Sequence, residues 1–375
     1  MLKKQDLQLN QVTFRQMQNN SINQNGIVLY AKSAGQTSFS SLFTIKHALG
    51  TKKVGHTGTL DSFAQGLLIV CTGALTRLVS HITAFDKVYE SIICFGKETD
   101  TLDPTGNIIK ETELPSLKNL LLALEKFAGK INQTPPAFSA IHIDGKRLSD
   151  IARSGKEVEI PSRQVEVYSS EILELVDEDE NSLDVKNLSL LNLENTKIKY
   201  AKIKFHVSKG TYIRCLACDI GNFCNSSGYL IGLLRTKVGN FKLEDAVGFE
   251  FLPEFTINSV LENLKTYQEF SRFDKEIETD LQNQVKEKLC SMTVNLASEC
   301  GFLIANLKND FVKDFYNGKF LKYNMFENFP ENCQNREIAV FAENTNQISS
   351  CEKFLGVVSK QGKIIKYCYV VQNLV

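Results

Sequence analysis

The feature that most limits what this chain can fold into is a glycine-rich bend feeding an apolar run: Val54-Gly55-His56-Thr57-Gly58-Thr59-Leu60-Asp61-Ser62-Phe63-Ala64-Gln65-Gly66-Leu67-Leu68. Glycines at 55, 58 and 66 with threonines at 57 and 59 make an irregular loop whose backbone can approach a ligand closely. It presents one carboxylate, Asp61, just ahead of a segment that must be buried. A plain structural use for Asp61 is to cap a helix or turn. Around this bend the hydrophobic spacing alternates between helical and extended. Ile27-Val28-Leu29 reads as a short buried strand. Ser38 opens a helix carrying Phe39, Leu42, Phe43, Ala48 and Leu49, with Gly50 as its stop. Leu117, Leu120, Leu121, Leu124, Phe127 and Ala128 mark one face of a helix over 117–128, ended by Gly129. Strands are expected at 67–71, 87–95, 163–175 and 201–207. Strands and helices in that mixture predict an α+β fold on a mixed, mainly antiparallel sheet rather than regular βαβ winding.

A chain of 375 residues is more than one core usually organises. Residues 1–25, rich in Gln and Asn (Gln16, Gln18, Asn19, Asn20), form an expected flexible extension without the apolar core of a signal peptide. The main α+β domain is assigned to 26–250. An acidic helical connector follows over 251–295, then a small β domain over 296–375 that ends in Ile364-Ile365-Lys366-Tyr367-Cys368-Tyr369-Val370-Val371. No window approaches the roughly 18 apolar residues of a membrane span. The expectation is a cytoplasmic protein whose ten cysteines are reduced thiols.

Basic and acidic residues balance at 43 each, but not locally. Residues 1–165 hold 19 basic against 14 acidic residues, and 201–247 hold 7 against 3, whereas 166–200 carry 3 against 9. A polyanion would meet two basic segments. The run Asp177-Glu178-Asp179-Glu180-Asn181 reads as a solvated loop between strands. Two other motifs are excluded as sources of chemistry. Gly50 and Gly55 have the glycine spacing of a phosphate-binding loop, but His56 stands where that loop needs lysine. Cys215-Leu216-Ala217-Cys218, with Cys224 and His206 nearby, lacks a second cysteine pair and reads as buried thiols on a helix, so no metal site is expected.

The string Gly55-His56-Thr57-Gly58-Thr59-Leu60-Asp61, followed by Ala64-Gln65-Gly66-Leu67-Leu68, resembles the signature of the TruB type of pseudouridine synthases, related to archaeal and eukaryotic dyskerin. Further segments agree in order: Asp86-Lys87-Val88-Tyr89, Gly96-Lys97-Glu98-Thr99-Asp100-Thr101-Leu102-Asp103, Ser208-Lys209-Gly210-Thr211-Tyr212-Ile213-Arg214 and Leu233-Leu234-Arg235-Thr236. The resemblance covers roughly 26–248. It departs at Ser62 and Phe63, where the family has Pro then Leu, and at Lys32-Ser33, where it has Lys-Pro.

That resemblance implies a cofactor-independent enzyme that isomerises a uridine in the TΨC stem-loop of tRNA, at position 55, with no obligate protein partner. It assigns catalysis to Asp61, Tyr89 and Arg214, and pocket or RNA contacts to Lys32, His56, Asp103, Lys209, Tyr212 and Arg235. An aspartate in a closed pocket tends to be neutralised by desolvation, which a neighbouring guanidinium opposes. Whether Asp61 attacks the sugar, attacks the base or assists elimination stays open. The C-terminal part resembles a small β domain of the PUA kind, with a structural add-on as the other reading. A tRNA-folding chaperone without chemistry is the alternative function. An RNA methyltransferase is disfavoured by the lack of a glycine-rich nucleotide loop after an early strand.

Overall fold

The computed structural model describes residues 24–136, 138, 142–143, 146–148, 160–265, 273–343 and 352–371. Residues 1–23, most of the expected extension, lie outside the described residues. The first thirteen strands are β1 (Gly26–Lys32), β2 (Val54–His56), β3 (Gln65–Thr72), β4 (Lys87–Phe95), β5 (Lys97–Thr99), β6 (Ile108–Glu111), β7 (Gly129–Gln133), β8 (His142–Ile143), β9 (Lys146–Arg147), β10 (Arg163–Asp177), β11 (Ile198–Val207), β12 (Gly228–Val238) and β13 (Phe241–Lys242). Nine of them form one sheet in the order β1-β3-β12-β4-β11-β10-β7, with β2 on β3 and β13 on β12. Its pairings are antiparallel except β3 with β12, so the sheet is mixed and mainly antiparallel, as expected.

The sheet is covered on both faces, which explains why its central strands read as near-continuous apolar runs. All eight residues of β3 are buried. On β4, Tyr89, Ile93 and Phe95 point into one core with Leu117, Leu120 and Leu124 of the helix Leu117–Lys126 and Ile213, Leu216 and Ile220 of the helix Ile213–Phe223. Ile92 and Cys94 point the other way, to Ile231, Phe255 and Ile257. Alternation along one strand therefore sets which residues share the face with the glycine-rich bend.

A second sheet comprises β14 (Leu303–Leu307), β15 (Phe326–Asn328), β16 (Glu337–Glu343), β17 (Glu352–Gln361) and β18 (Ile364–Val370), ordered β15-β14-β16-β17-β18. It has its own core around Phe315, Met325, Val340, Leu355 and Val358. Its other face joins the first sheet: Phe341, Phe354 and Val357 cluster with Leu67, Ile69 and Cys71. Among the described residues, no helix is long and apolar enough to cross a membrane.

Local differences from expectation have physical reasons. The first helix begins at Leu42, not Ser38, because the Ser38 hydroxyl is engaged by the backbone of Leu60 across the bend. Gly50 does end that helix, in the left-handed region at φ 60°. The helix expected over 117–128 stops at Lys126, and Gly129, at φ 78°, turns the chain into β7. The C-terminal part opens with a helix, Val294–Glu299, capped by Thr293, and its first strand starts only at Leu303. The acidic run at 177–181 is the exposed turn between β10 and β11.

Gly66 carries the most restrictive backbone. It lies at φ 116°, and a Cβ there would stand 2.4 Å from the carbonyl oxygen and 2.6 Å from the nitrogen of Arg235. The close approach is what lets β3 pair in parallel with β12. Gly66→Ala is expected to lower unfolding free energy by at least about 2 kcal/mol, from positive-φ strain and the clash together. Urea unfolding would measure it.

Candidate active site

The bend between β2 and β3 is held from several sides. The Ser38 hydroxyl accepts from the Leu60 N–H at 2.8 Å and donates to the Leu60 carbonyl at 3.0 Å. Gly35 N–H donates to the Ser62 carbonyl at 2.7 Å. Lys32, fully buried, donates through Nζ to the carbonyls of Gln36 at 2.7 Å and Ser33 at 3.0 Å, and reaches Ser62 at 3.5 Å. Arg235, 1% exposed, donates through Nη2 to Gly58 at 3.1 Å and through Nε to Leu67 at 2.7 Å. Both residues just before and just after Asp61 are thereby fixed, and the carboxylate projects from a rigid arc.

Asp61 meets Arg214 at the start of the helix Ile213–Phe223. The guanidinium is 4% exposed, while the Asp61 side chain keeps 37% exposure. Nη2 donates to Oδ1 at 3.2 Å, and Nε lies 3.0 Å from Oδ2 in charge contact without an aligned hydrogen bond. Arg214 is further held by the Thr101 carbonyl at 2.9 Å, the Phe138 carbonyl at 2.9 Å and Asp103 Oδ2 at 3.1 Å. Asp103 is itself locked, accepting from Thr101 Oγ1 at 2.8 Å, Thr105 N at 3.0 Å and Thr105 Oγ1 at 2.5 Å. A planar fork satisfies this set of acceptors where the single ammonium of lysine could not.

Electrostatics at the cluster is a contest between burial and charge. Burial pushes the Asp61 carboxyl above its ordinary range and the charge of Asp103 adds to that, while Arg214 and Lys32 pull it back down. Burial pushes the Lys32 ammonium down to about 7, with Arg235 adding and Asp61 opposing. The His56 imidazole is pushed down by burial, then by Arg235. On the bend itself, His56 Nδ1 and Thr57 Oγ1 are buried without a hydrogen-bond partner among the described residues. Buried polar groups are nearly always paired, so these two atoms stand out.

The remaining predicted residues divide into two sets. Tyr89, 9% exposed, lies on the same face as Leu60 and Phe63 and stands opposite Phe205 and Arg235 in the sheet register. It therefore shares a core with the two residues that flank Asp61 on the bend, Leu60 and Phe63. Lys209 and Tyr212 sit on the turn before the helix, Lys209 exposed and Tyr212 half-buried. Lys32 and Arg235 are too buried to meet a phosphate directly and act instead on the bend. Cys215 is buried and Cys218 half-buried, and burial raises both thiols to about 12. Among the described residues no group of three potential metal ligands occurs.

Several contributing residues are not marked by the sequence motifs. Gln133 clamps the Tyr212 backbone, accepting from its N–H at 2.8 Å and donating to its carbonyl at 3.1 Å, which fixes the entry to the helix that carries Arg214. Arg163 lies 5.0 Å over the Tyr212 ring and donates to the Gly210 carbonyl at 2.5 Å. Thr101 and Thr105, two residues either side of Asp103, show a spacing typical of a self-bonded aspartate turn and could have been found that way.

Comparison with known proteins gives this geometry a family. The profile of TruB family pseudouridylate synthases (N terminal domain) matches residues 46–213. A protein named tRNA pseudouridine synthase B in Treponema denticola is 41% identical over 358 residues, covering 94% of this chain and 99% of that protein. One of the same name in Borreliella burgdorferi is 42% identical over 246 residues, covering 65% of this chain and 80% of that one. The chain belongs to the TruB family of pseudouridylate synthases. Among solved structures, an H/ACA RNP bound to a substrate RNA containing 2'-deoxyuridine matches at TM-score 0.57 and 18% identity, over 93% of this chain and 86% of the other. A Cbf5-Nop10-Gar1 complex matches at 0.55 and 18%, over 92% and 85%. At that identity the two structures speak for the shared fold, including the C-terminal sheet.

Asp61 is expected to titrate above the roughly 3.9 of a free aspartate. Asp103→Asn removes a negative neighbour and should move that titration down. Lys32→Gln removes a positive one and should move it up. Carboxyl-carbon NMR of the protein labelled at aspartate reads both shifts, and a change of the opposite sign in either variant would refute the charge balance described above.

Proposed function

We propose that this chain isomerises uridine to pseudouridine in tRNA, at the uridine of the TΨC loop (position 55), with Asp61 as the catalytic carboxylate. The observation that carries the reading is the chain of contacts Asp61–Arg214–Asp103, in which a buried guanidinium is held from behind and its front carboxylate keeps an open side. The reaction breaks the bond from ribose C1′ to N1, turns the base and joins C1′ to C5. N1 gains a proton and C5 loses one, with no redox change. An anionic carboxylate facing the nucleoside suits covalent or electrostatic partnership with the detached sugar or base. Arg214 opposes the burial that pushes that carboxyl up and aims it, and Asp103 aims Arg214.

The other residues take roles that match their placement. Tyr89 offers a ring to the uracil and a hydroxyl for proton movement at C5. Extruding a base loses stacking worth a few kcal/mol. His56, half-buried with Nδ1 unpaired, is suited to meet the RNA where the uridine leaves it. Lys209 and Tyr212 contact the RNA beside the pocket, while Lys32 and Arg235 hold the bend. Residues 26–250 form the catalytic domain, 251–295 the connector and 296–375 a PUA-like domain that grips the acceptor side of the tRNA.

Purified protein incubated with an unmodified tRNA transcript, followed by carbodiimide mapping, should convert one uridine in the TΨC loop. Asp61→Asn should bind the transcript within about twofold of wild type and lose about four orders of magnitude or more in rate. Arg214→Lys should lose about 100- to 1000-fold. Turnover by Asp61→Asn would remove the assignment of Asp61. Wild-type protein that remodels tRNA but forms no pseudouridine would instead favour the folding chaperone.

A further inference from the structure

Beside the bend, the turn before the first helix and the first turn of that helix carry an exposed aromatic pair, Phe39 and Phe43. Phe39 and Phe43 are 62% and 50% exposed, whereas Leu42, Ile45, Ala48 and Leu49 of the same segment turn inward to Val28, Tyr30, Leu281 and Val285. The two rings meet edge to face with centroids 5.9 Å apart. The Lys46 ammonium lies 4.7 Å from the Phe39 ring centre and 5.2 Å from that of Phe43. Such a contact holds both rings in place and sets a positive charge over one face of each. Leaving two phenylalanines in water loses the stabilisation their burial would give, so the sequence keeps them there for something that covers them.

The surroundings say what covers them. From residue 7 to residue 60 the chain contains no aspartate or glutamate. His47, Lys52 and Lys53 are exposed close to the aromatic pair in sequence. Glu278 reaches this helix at Thr44, a buried position, and not at the aromatic edge. A polyanion with flat apolar groups fits two exposed rings beside an ammonium. The patch is also tied to the catalytic bend. Ser38, the neighbour of Phe39, is hydrogen-bonded to Leu60, the neighbour of Asp61, so the aromatic pair begins one residue from a direct contact with the bend.

We propose that Phe39, Phe43 and Lys46 form a stacking platform for an unstacked RNA base next to the extruded uridine, with Lys46 meeting its phosphate. The proposal rests on the RNA-modifying reading and adds to it a specific binding surface outside the reacting pocket. Aromatic rings grip bases of any sequence, because every base has a π face, and a nearby ammonium adds salt-sensitive affinity. The platform would anchor the strand while the uridine is out of its stack, and so act on binding rather than on the chemical step.

The test compares the double variants Phe39→Ala/Phe43→Ala, Phe39→Leu/Phe43→Leu and Phe39→Tyr/Phe43→Tyr on the full chain, using an unmodified tRNA transcript. The equilibrium Kd is measured by filter binding, and the pseudouridine-forming rate separately at saturating RNA. Both rings are exposed, so thermal melts should agree with wild type. The Ala and Leu variants should each bind about tenfold or more weakly, the Tyr variant within about twofold, and all three should keep the saturated rate. Leu binding as tightly as wild type would overturn base stacking, since it preserves apolar volume and removes only the π face. Unchanged Kd in the Ala variant overturns the platform altogether. So would sedimentation showing a wild-type dimer that the Ala variant breaks with RNA affinity intact, which would assign the patch to a second copy of the chain. Kd is read without turnover, so a wild-type protein that binds RNA but makes no pseudouridine fails the functional reading while still deciding this one.

Discussion

The arrangement depends on one buried cation. Arg214 has almost no access to water, and a guanidinium in that position is tolerable only when its donors are met. Two backbone carbonyls and two carboxylates meet Nη1 and Nη2, while Nε rests in charge contact with Asp61. Those acceptors come from segments far apart in sequence: the bend at Asp61, the turn around Asp103, and Phe138. The same side chain therefore gathers the site and gives Asp61 its counter-charge. Removing either carboxylate leaves the positive charge underpaired in a dry place, which makes the cluster all-or-none in character.

The sheet supplies the rigid base on which this cluster stands. Because β4 is covered on both faces, its Tyr89 cannot swing away from the bend without opening the core that holds Ile93 and Phe95. The one parallel contact, β3 with β12, brings Gly66 against the backbone of Arg235 and thus puts that arginine where it can reach Gly58. Fold and site share residues here: the strand pairing that stabilises the sheet also locates the staple on the bend. The second sheet packs behind β3, and His81 marks the join by stacking on Phe302 at 4.2 Å and placing Nδ1 2.5 Å from Glu337 and Nε2 2.6 Å from the Cys300 carbonyl.

Much of this was legible from the residues. The apolar run of β3, buried along its whole length, made that strand legible, while β10 and β11, buried only in part, were marked by the turn residues around them. The family motifs contain Asp61, Arg214 and Asp103, which the fold brings into contact. Burial of individual long side chains was not legible. Lys32 and Arg235 resemble pocket or RNA-contacting positions of the family, and both lie inside, bonded to carbonyls that no local pattern advertises. Ser38 read as a helix opener, a sound local inference, but its hydroxyl is taken by a residue 22 positions away. Gln133 was invisible for the same reason: its partner, the Tyr212 backbone, is 79 positions along the chain. Pairwise contacts over such distances belong to the fold and not to any window of sequence.

Arg235 bonds the carbonyls of Gly58 and Leu67 with one guanidinium, and so closes the intervening stretch into a ring. A ring of fixed circumference does not accept insertions or deletions. An added residue would have to bulge toward the solute or pull a staple loose, and a missing one would drag the carboxylate out of reach of its partner. Side chains within this stretch can differ without strain on the closure, whereas its length is fixed by the two carbonyls that one guanidinium spans.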